Sequence, residues 1–159
     1  VSIVGRASWW ARLASRDYIA AAVFIGALGQ FLFFTWWTLD QPIVDMWGFR
    51  PAQTAASIPY MLRGVGRLAN IVPIFGEPWT MSLEFPLYQW CVAALVWVTG
   101  APIDPCGRLV SAAFAIAVLW PLFLIAKAAG IARARRFTLL AGAFWLLAPV
   151  VVFWGRSFL

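Results

Sequence analysis

The sequence predicts an all-α integral membrane protein with three transmembrane helices plus short exterior juxtamembrane helices. Three observations predict it. Of 159 residues, 64% are hydrophobic and only 11% charged, with a mean hydropathy of +0.84. Apolar runs of spanning length recur along the chain, and most basic residues fall between them. A soluble core of this length has no room for so much apolar surface, so lipid is the expected solvent for much of the chain.

Charge and cysteine content narrow the function classes. Twelve basic residues, all Arg except Lys127, face six acids, for a formal charge of +6. Arginines placed between apolar runs set topology and meet lipid headgroups, so no nucleic-acid partner is expected. Two cysteines, Cys91 and Cys106, and no histidine argue against a His/Cys metal centre. Two free thiols are expected, since pairing would require both to face an oxidising compartment.

Residues 1–17 carry Arg6, Arg12 and Arg16 and are expected in the cytoplasm. Residues 18–37 are apolar apart from Gln30 and Thr35, and their helix matches the ~30 Å hydrocarbon layer. The run ends in Thr35-Trp36-Trp37-Thr38, not in small residues that a signal peptidase accepts, so it reads as a retained anchor.

Residues 38–107 are expected outside. Pro51 suits the first turn of a helix that Gly64 stops, and Pro59 is expected to interrupt or kink it. That helix carries Gln53, Thr54, Ser57 and Tyr60. Residues 64–84 read as loop, punctuated by Gly66, Pro73, Gly76 and Pro78, with Trp79 as an interfacial anchor. Residues 85–99, "FPLYQWCVAALVWVT", form a short apolar helix with Glu84 at its dipole-positive start. At about 22 Å it is too short for an easy crossing, so it is expected to lie in the outer interface. The alternative, four transmembrane helices, would put the two basic clusters on opposite sides. Residues 100–107, "GAPIDPCG", read as a turn with Asp104 as a turn or cap residue.

Residues 108–127 form the next crossing, kinked at Pro121. The loop 128–136 carries Arg133, Arg135 and Arg136, directly after Lys127, and is expected in the cytoplasm. Residues 137–155 form the last crossing, with Pro149 near its far end and Arg156 emerging outside. The first residue is Val and the last apolar run ends close to Leu159, so the chain is expected to be the N-terminal part of a longer polypeptide.

The expected exterior side gathers Asp40, Asp45, Glu77, Glu84 and Asp104 with Arg50, Arg63, Arg67, Arg108 and Arg156, among many aromatic residues. Such a set suits a lipid-linked anionic sugar donor. A carboxylate can take the proton of an acceptor hydroxyl, arginines can hold a departing phosphate, and aromatic faces can pack on a sugar ring. A divalent cation (Mg or Mn) held by carboxylates would assist the leaving group.

The order of elements carries a resemblance. An exterior acid in "VDMWGFRPAQTA", a short helix opening "EFPLYQW", then "GRLVSAAFA" and "PVVVFWGRSFL" resemble the N-terminal part of a GT-C type membrane glycosyltransferase. The nearest likeness is to the family 39 group, which includes protein O-mannosyltransferases and lipid A aminoarabinose transferases. The resemblance implies transfer of a sugar from a polyprenyl-phosphate donor to an exterior acceptor, with inversion, in a bacterial inner (plasma) membrane. It puts the catalytic acid on Asp45, with Asp40 as fallback, and the arginine opening the next crossing on Arg108. Arg50, Glu84, Arg156, Tyr88 and Gln89 complete the expected donor site.

Two departures qualify the resemblance. The family often has a double acid in the first loop, whereas Met46 follows Asp45, so a metal ion on Asp45 is in question. A second acidic position would fall beyond Leu159, so the chain alone is expected to be inactive. Each residue also has a plainer reading. Asp45 and Asp40 suit a cap or turn, Arg50 suits an ion pair with Asp45, and Arg108 and Arg156 suit snorkelling to headgroups. A non-catalytic small membrane subunit or a transporter fragment is the alternative function, although the crossings hold almost no charge and show no inverted repeat.

Overall fold

The computed structural model describes residues 4–41, 49–64, 70–71, 80–81 and 85–155, with backbone alone for 4–16, 49–51, 70–71 and 80–81. The fold is all-α, with one minimal β-pairing. Among the described residues two helical stretches, Asp17–Trp37 and Ile103–Ala128, are long and apolar enough to cross a membrane.

Helix α1 (Val4–Trp37) contains the first of these stretches. Its end is finished by its own threonines. Thr35 Oγ1 donates to the Phe31 carbonyl and Thr38 Oγ1 to the Phe34 carbonyl, each at 2.9 Å. The Phe34 carbonyl also takes Thr38 N–H, at 3.2 Å, so the hydroxyl is a second donor bonding back one turn. The chain then tightens through a turn closed by Gln41 N–H on the Thr38 carbonyl, at 3.2 Å.

Helix α2 (Phe49–Leu62) has Pro51 in its first turn and stops at Gly64, whose φ of 82° few side chains tolerate. Pro59 lies inside the helix and, of the interruption or kink expected there, does not interrupt it. It sits close to the C-terminal end, where one missing N–H costs little continuity, and its carbonyl still accepts from Arg63 N–H at 3.2 Å. The stretch expected to be loop contains β1 (Asn70–Ile71) and β2 (Thr80–Met81), paired antiparallel with Asn70 opposite Met81. Two residues per strand are too few to leave an alternating pattern in the sequence.

Helix α3 (Leu87–Thr99) has 13 residues and spans about 20 Å. Gly100, with φ 68°, caps it by donating to the Val96 carbonyl at 2.8 Å. Thr99 Oγ1 donates to the Leu95 carbonyl and accepts from Ala101 N–H. This cap turns the chain sharply into helix α4 (Ile103–Ala117), which starts earlier than residue 108 and holds Asp104 in its first turn. A carboxylate there complements the helix dipole.

The long stretch breaks at Val118, three residues before Pro121, and resumes as α5 (Leu119–Ala128). Proline lacks the N–H and its ring crowds the carbonyl four residues back, so the interruption falls just ahead of it. A Schellman motif ends α5. Gly130, with φ 68°, donates to the Lys127 carbonyl, and Ile131 N–H reaches the Ala126 carbonyl, each at 3.1 Å.

Helix α6 (Ala134–Leu147) gives way at Ala148, whose extended ψ of 127° is what a residue before proline favours. Pro149 then opens α7 (Pro149–Trp154). Helix α1 packs chiefly on α6, and α5 packs beside it. Phe24, Leu119 and Gly142 meet at one level, and Phe31, Ala115 and Gly155 meet at another. Between these levels α1 and α6–α7 advance while α4–α5 retreats, so the first two run parallel and the third antiparallel.

Two clusters form the interior. Ala27, Phe31, Ala112, Ala115, Ala143, Leu146 and Val151 join α1, α4, α6 and α7. Ile58, Val92, Cys106 and Val110 join α2, α3 and the first half of α4. The second cluster seats the α2–α3 pair against the end of the bundle where α1 finishes and α4 begins.

Candidate functional site

That end of the bundle is where polar side chains go inward. Arg108, Ser111, Gln89, Gln53, Ser57, Thr35 and Thr38 are all buried. In an interior this apolar, each such group needs a hydrogen bond to offset its lost hydration.

Arg108 is 4% exposed, and its Nη2 donates to the Gln41 carbonyl at 3.0 Å. The guanidinium on the second turn of α4 therefore holds the turn that ends α1. Asp40, next to Gln41 in that turn, is exposed. One acid and one arginine of the expected site thus come to the same corner, with the arginine directed at the backbone beside the acid. Among the described residues no salt bridge joins them. Snorkelling, the plain reading of Arg108, does not describe it, since the side chain is inside the protein.

Tyr88 projects from the first turn of α3 toward α4. Its hydroxyl donates to the Gly107 carbonyl at 2.9 Å and lies 3.0 Å from Ser111 Oγ. Its ring tilts against Phe114, with centroids 6.4 Å apart. The neighbouring Gln89 is buried one turn before Val92. Tyr88 thus belongs to the α3–α4 joint, and both side chains are surrounded by protein more than by open surface.

Several expected site residues fall elsewhere. Asp45, Glu84 and Arg156 lie outside the described residues, as do Glu77 and Trp79, and Arg50 is described only as backbone in the first turn of α2. Asp104 lies in the first turn of α4. Cys91 and Cys106 are both free, and Cys106 is buried.

No group of three or more His, Cys, Asp or Glu side chains stands ready to hold a metal ion among the described residues. The donor set for a divalent cation rests on Asp45, so no step is assigned to a metal. Sequence reasoning missed Ser111 and Gln41. Ser111 sits one turn beyond Gly107 on the face that meets Tyr88, a helical spacing that could have pointed to it. Gln41 contributes through its carbonyl, which carries no sequence signal at all.

Comparison of the chain with protein-family models, with curated proteins and with solved structures gives no match in any of the three.

Proposed function

We propose that this chain is an integral membrane protein of three crossings and that it serves as a non-catalytic membrane subunit. The membrane reading rests on where the apolar surface points. In the most apolar window of each of the two long stretches only 22% is buried, and Phe144 and Trp120 are 80% and 67% exposed. Water would penalise that surface at roughly 25 cal/mol per Å², whereas lipid accepts it.

The third crossing is α6 with α7, which together run the depth of the bundle despite the break at Pro149. Helix α3 stays outside. The chain leaves α1 at Gln41 and re-enters at Arg108 with the two in contact, so residues between them begin and end at one face. Lys127, Arg133, Arg135 and Arg136 then share the other face with the start of the α1 crossing, in accord with the positive-inside rule.

The subunit reading rests on a single observation: Arg108 and Tyr88 spend hydrogen bonds on the protein's own backbone, at Gln41 and Gly107. These polar groups lock α1, α3 and α4 together. The polyprenyl-phosphate sugar transferase is the second reading, favoured by the approach of Arg108 to the turn that carries Asp40.

A photoactivatable polyprenyl-phosphate analogue, applied to membranes containing the full-length protein, separates the two. The subunit reading expects no labelling that unlabelled donor suppresses, together with migration in a larger assembly on native gels. Saturable labelling near residues 38–41, together with sugar transfer that Asp45→Asn or Asp40→Asn abolishes, would establish the transferase instead. Release of the protein by alkaline carbonate would overturn the membrane reading itself.

A further inference from the structure

The two broken helices break close to each other in space. Val118, between α4 and α5, and Ala148, between α6 and α7, both border an apolar cavity of about 440 Å³. Leu122, Ala141, Phe144 and Trp145 continue its wall. Trp145 is held in place by its indole Nε1, which donates to the Ala115 carbonyl at 3.0 Å, so this wall is fixed.

Of the lining residues, Leu122 and Ala141 lie nearest in sequence to the connection between α5 and α6. From Leu122 to Lys127, and from Ala141 to Arg136, is five residues, or about 7.5 Å of helix. Arg133 and Arg135 stand in the same connection, and residues 119–155 contain no acid. Among the described residues, none of these four cations makes a salt bridge. Arg135 and Arg136 also occupy the first turn of α6, where the helix dipole is positive and the first turn has no acidic residue. Repulsion there is relieved by an anion.

We infer that this groove holds one anionic phospholipid, its phosphate at Lys127, Arg133, Arg135 and Arg136 and one acyl chain in the cavity. The positive charge of the α5–α6 connection selects the headgroup, and the apolar wall selects the tail. Free phosphate would satisfy the arginines but leave the cavity unfilled, and a zwitterionic lipid would fill the cavity without neutralising the basic connection. The inference rests on the membrane part of the proposed function and is indifferent to the choice between subunit and transferase.

The test is native mass spectrometry of the purified full chain in detergent with equal amounts of dioleoyl phosphatidylglycerol and dioleoyl phosphatidylcholine. Expected is retention of one phosphatidylglycerol in preference to phosphatidylcholine. Arg133→Gln and Arg135→Gln, both at exposed positions, should each weaken that retention about fivefold. Ala141→Phe and Ala148→Phe, which fill the cavity, should weaken it at unchanged helix content. Equal retention of the two lipids would overturn the inference, as would cavity-filling variants that bind like the parent. Glycerol 3-phosphate that competes as well as the lipid would assign the arginines to free phosphate. Flotation with liposomes, run in parallel, separates failure of this site from failure of the membrane reading.

Discussion

The hydroxyl oxygens of Tyr88 and Ser111 stand 3.0 Å apart across the α3–α4 joint. A phenol has one proton, and the Tyr88 proton goes to the Gly107 carbonyl at 2.9 Å, so Ser111 is the donor between the two hydroxyls. The joint is therefore a relay in which one side chain of α3 satisfies two groups of α4.

Tyr88→Phe should remove both bonds and leave the Ser111 hydroxyl to find another acceptor. The expected loss is about 1–3 kcal/mol, the cost of leaving buried polar groups unsatisfied. Ser111→Ala should cost less, about 0.5–1.5 kcal/mol, because Tyr88 keeps its bond to Gly107. Unfolding midpoints in detergent should fall in the order Tyr88→Phe below Ser111→Ala below parent. The reverse order would mean that the Ser111 hydroxyl, not that of Tyr88, carries the joint.

The level where three helices meet depends on a missing side chain. A Cβ on Gly142 would come within 2.8 Å of Leu119 Cδ2 and 3.1 Å of the Phe24 ring. Alanine gains about 1 kcal/mol of helix propensity over glycine, and overpacking costs about 1–3 kcal/mol. Gly142→Ala is thus expected between neutral and mildly destabilising, since the Leu119 side chain can yield, and Gly142→Leu clearly destabilising. Gly29 has open space around it, so Gly29→Ala should gain up to about 1 kcal/mol. Parallel thermal scans of the three variants check both signs.

Much of the helical frame was legible because its signals are local. Pro121 and Pro149 announce the two breaks, Gly64 announces the end of α2, and the apolar run of residues 85–99 announces the 13-residue α3. The polar ties were not legible. Arg108 and Gln41 are 67 positions apart, and the acceptor is a carbonyl, so nothing in the sequence distinguishes a buried tie from a headgroup contact. Pro59 left interruption or kink open, and its place near the helix end keeps α2 in one piece. Of the candidate site, Arg108 and Tyr88 make hydrogen bonds that join helices, and Gln89 is buried beside them in α3.

Trp145 makes the other tie across the bundle, from α6 to the Ala115 carbonyl near the end of α4. Trp145→Phe keeps most of the apolar bulk and deletes the donor. A loss of about 0.5–1.5 kcal/mol is expected, the net value of one such bond. It should come with weakened phospholipid retention, because the same ring walls the cavity. If stability drops while retention stays at the parental value, the ring is a strut only and does not shape the groove.

Topology calls for a better probe than the native cysteines. Cys106 is 1% exposed, so its protection from an impermeant thiol reagent would report burial and say nothing about sidedness. Gln41 and Pro102 are exposed and flank the segment that contains α2 and α3. Ala132 is exposed in the connection between α5 and α6. In a Cys91→Ser background, Gln41→Cys and Pro102→Cys should both react in intact cells, and Ala132→Cys only after the membrane is broken. Gln41→Cys should cost little, because the group that Arg108 grips is the backbone carbonyl, which cysteine supplies equally well. Reaction of Gln41→Cys with protection of Pro102→Cys would mean that the 13-residue α3 crosses after all. The chain would then have four crossings, with the Arg133–Arg136 cluster on the exterior.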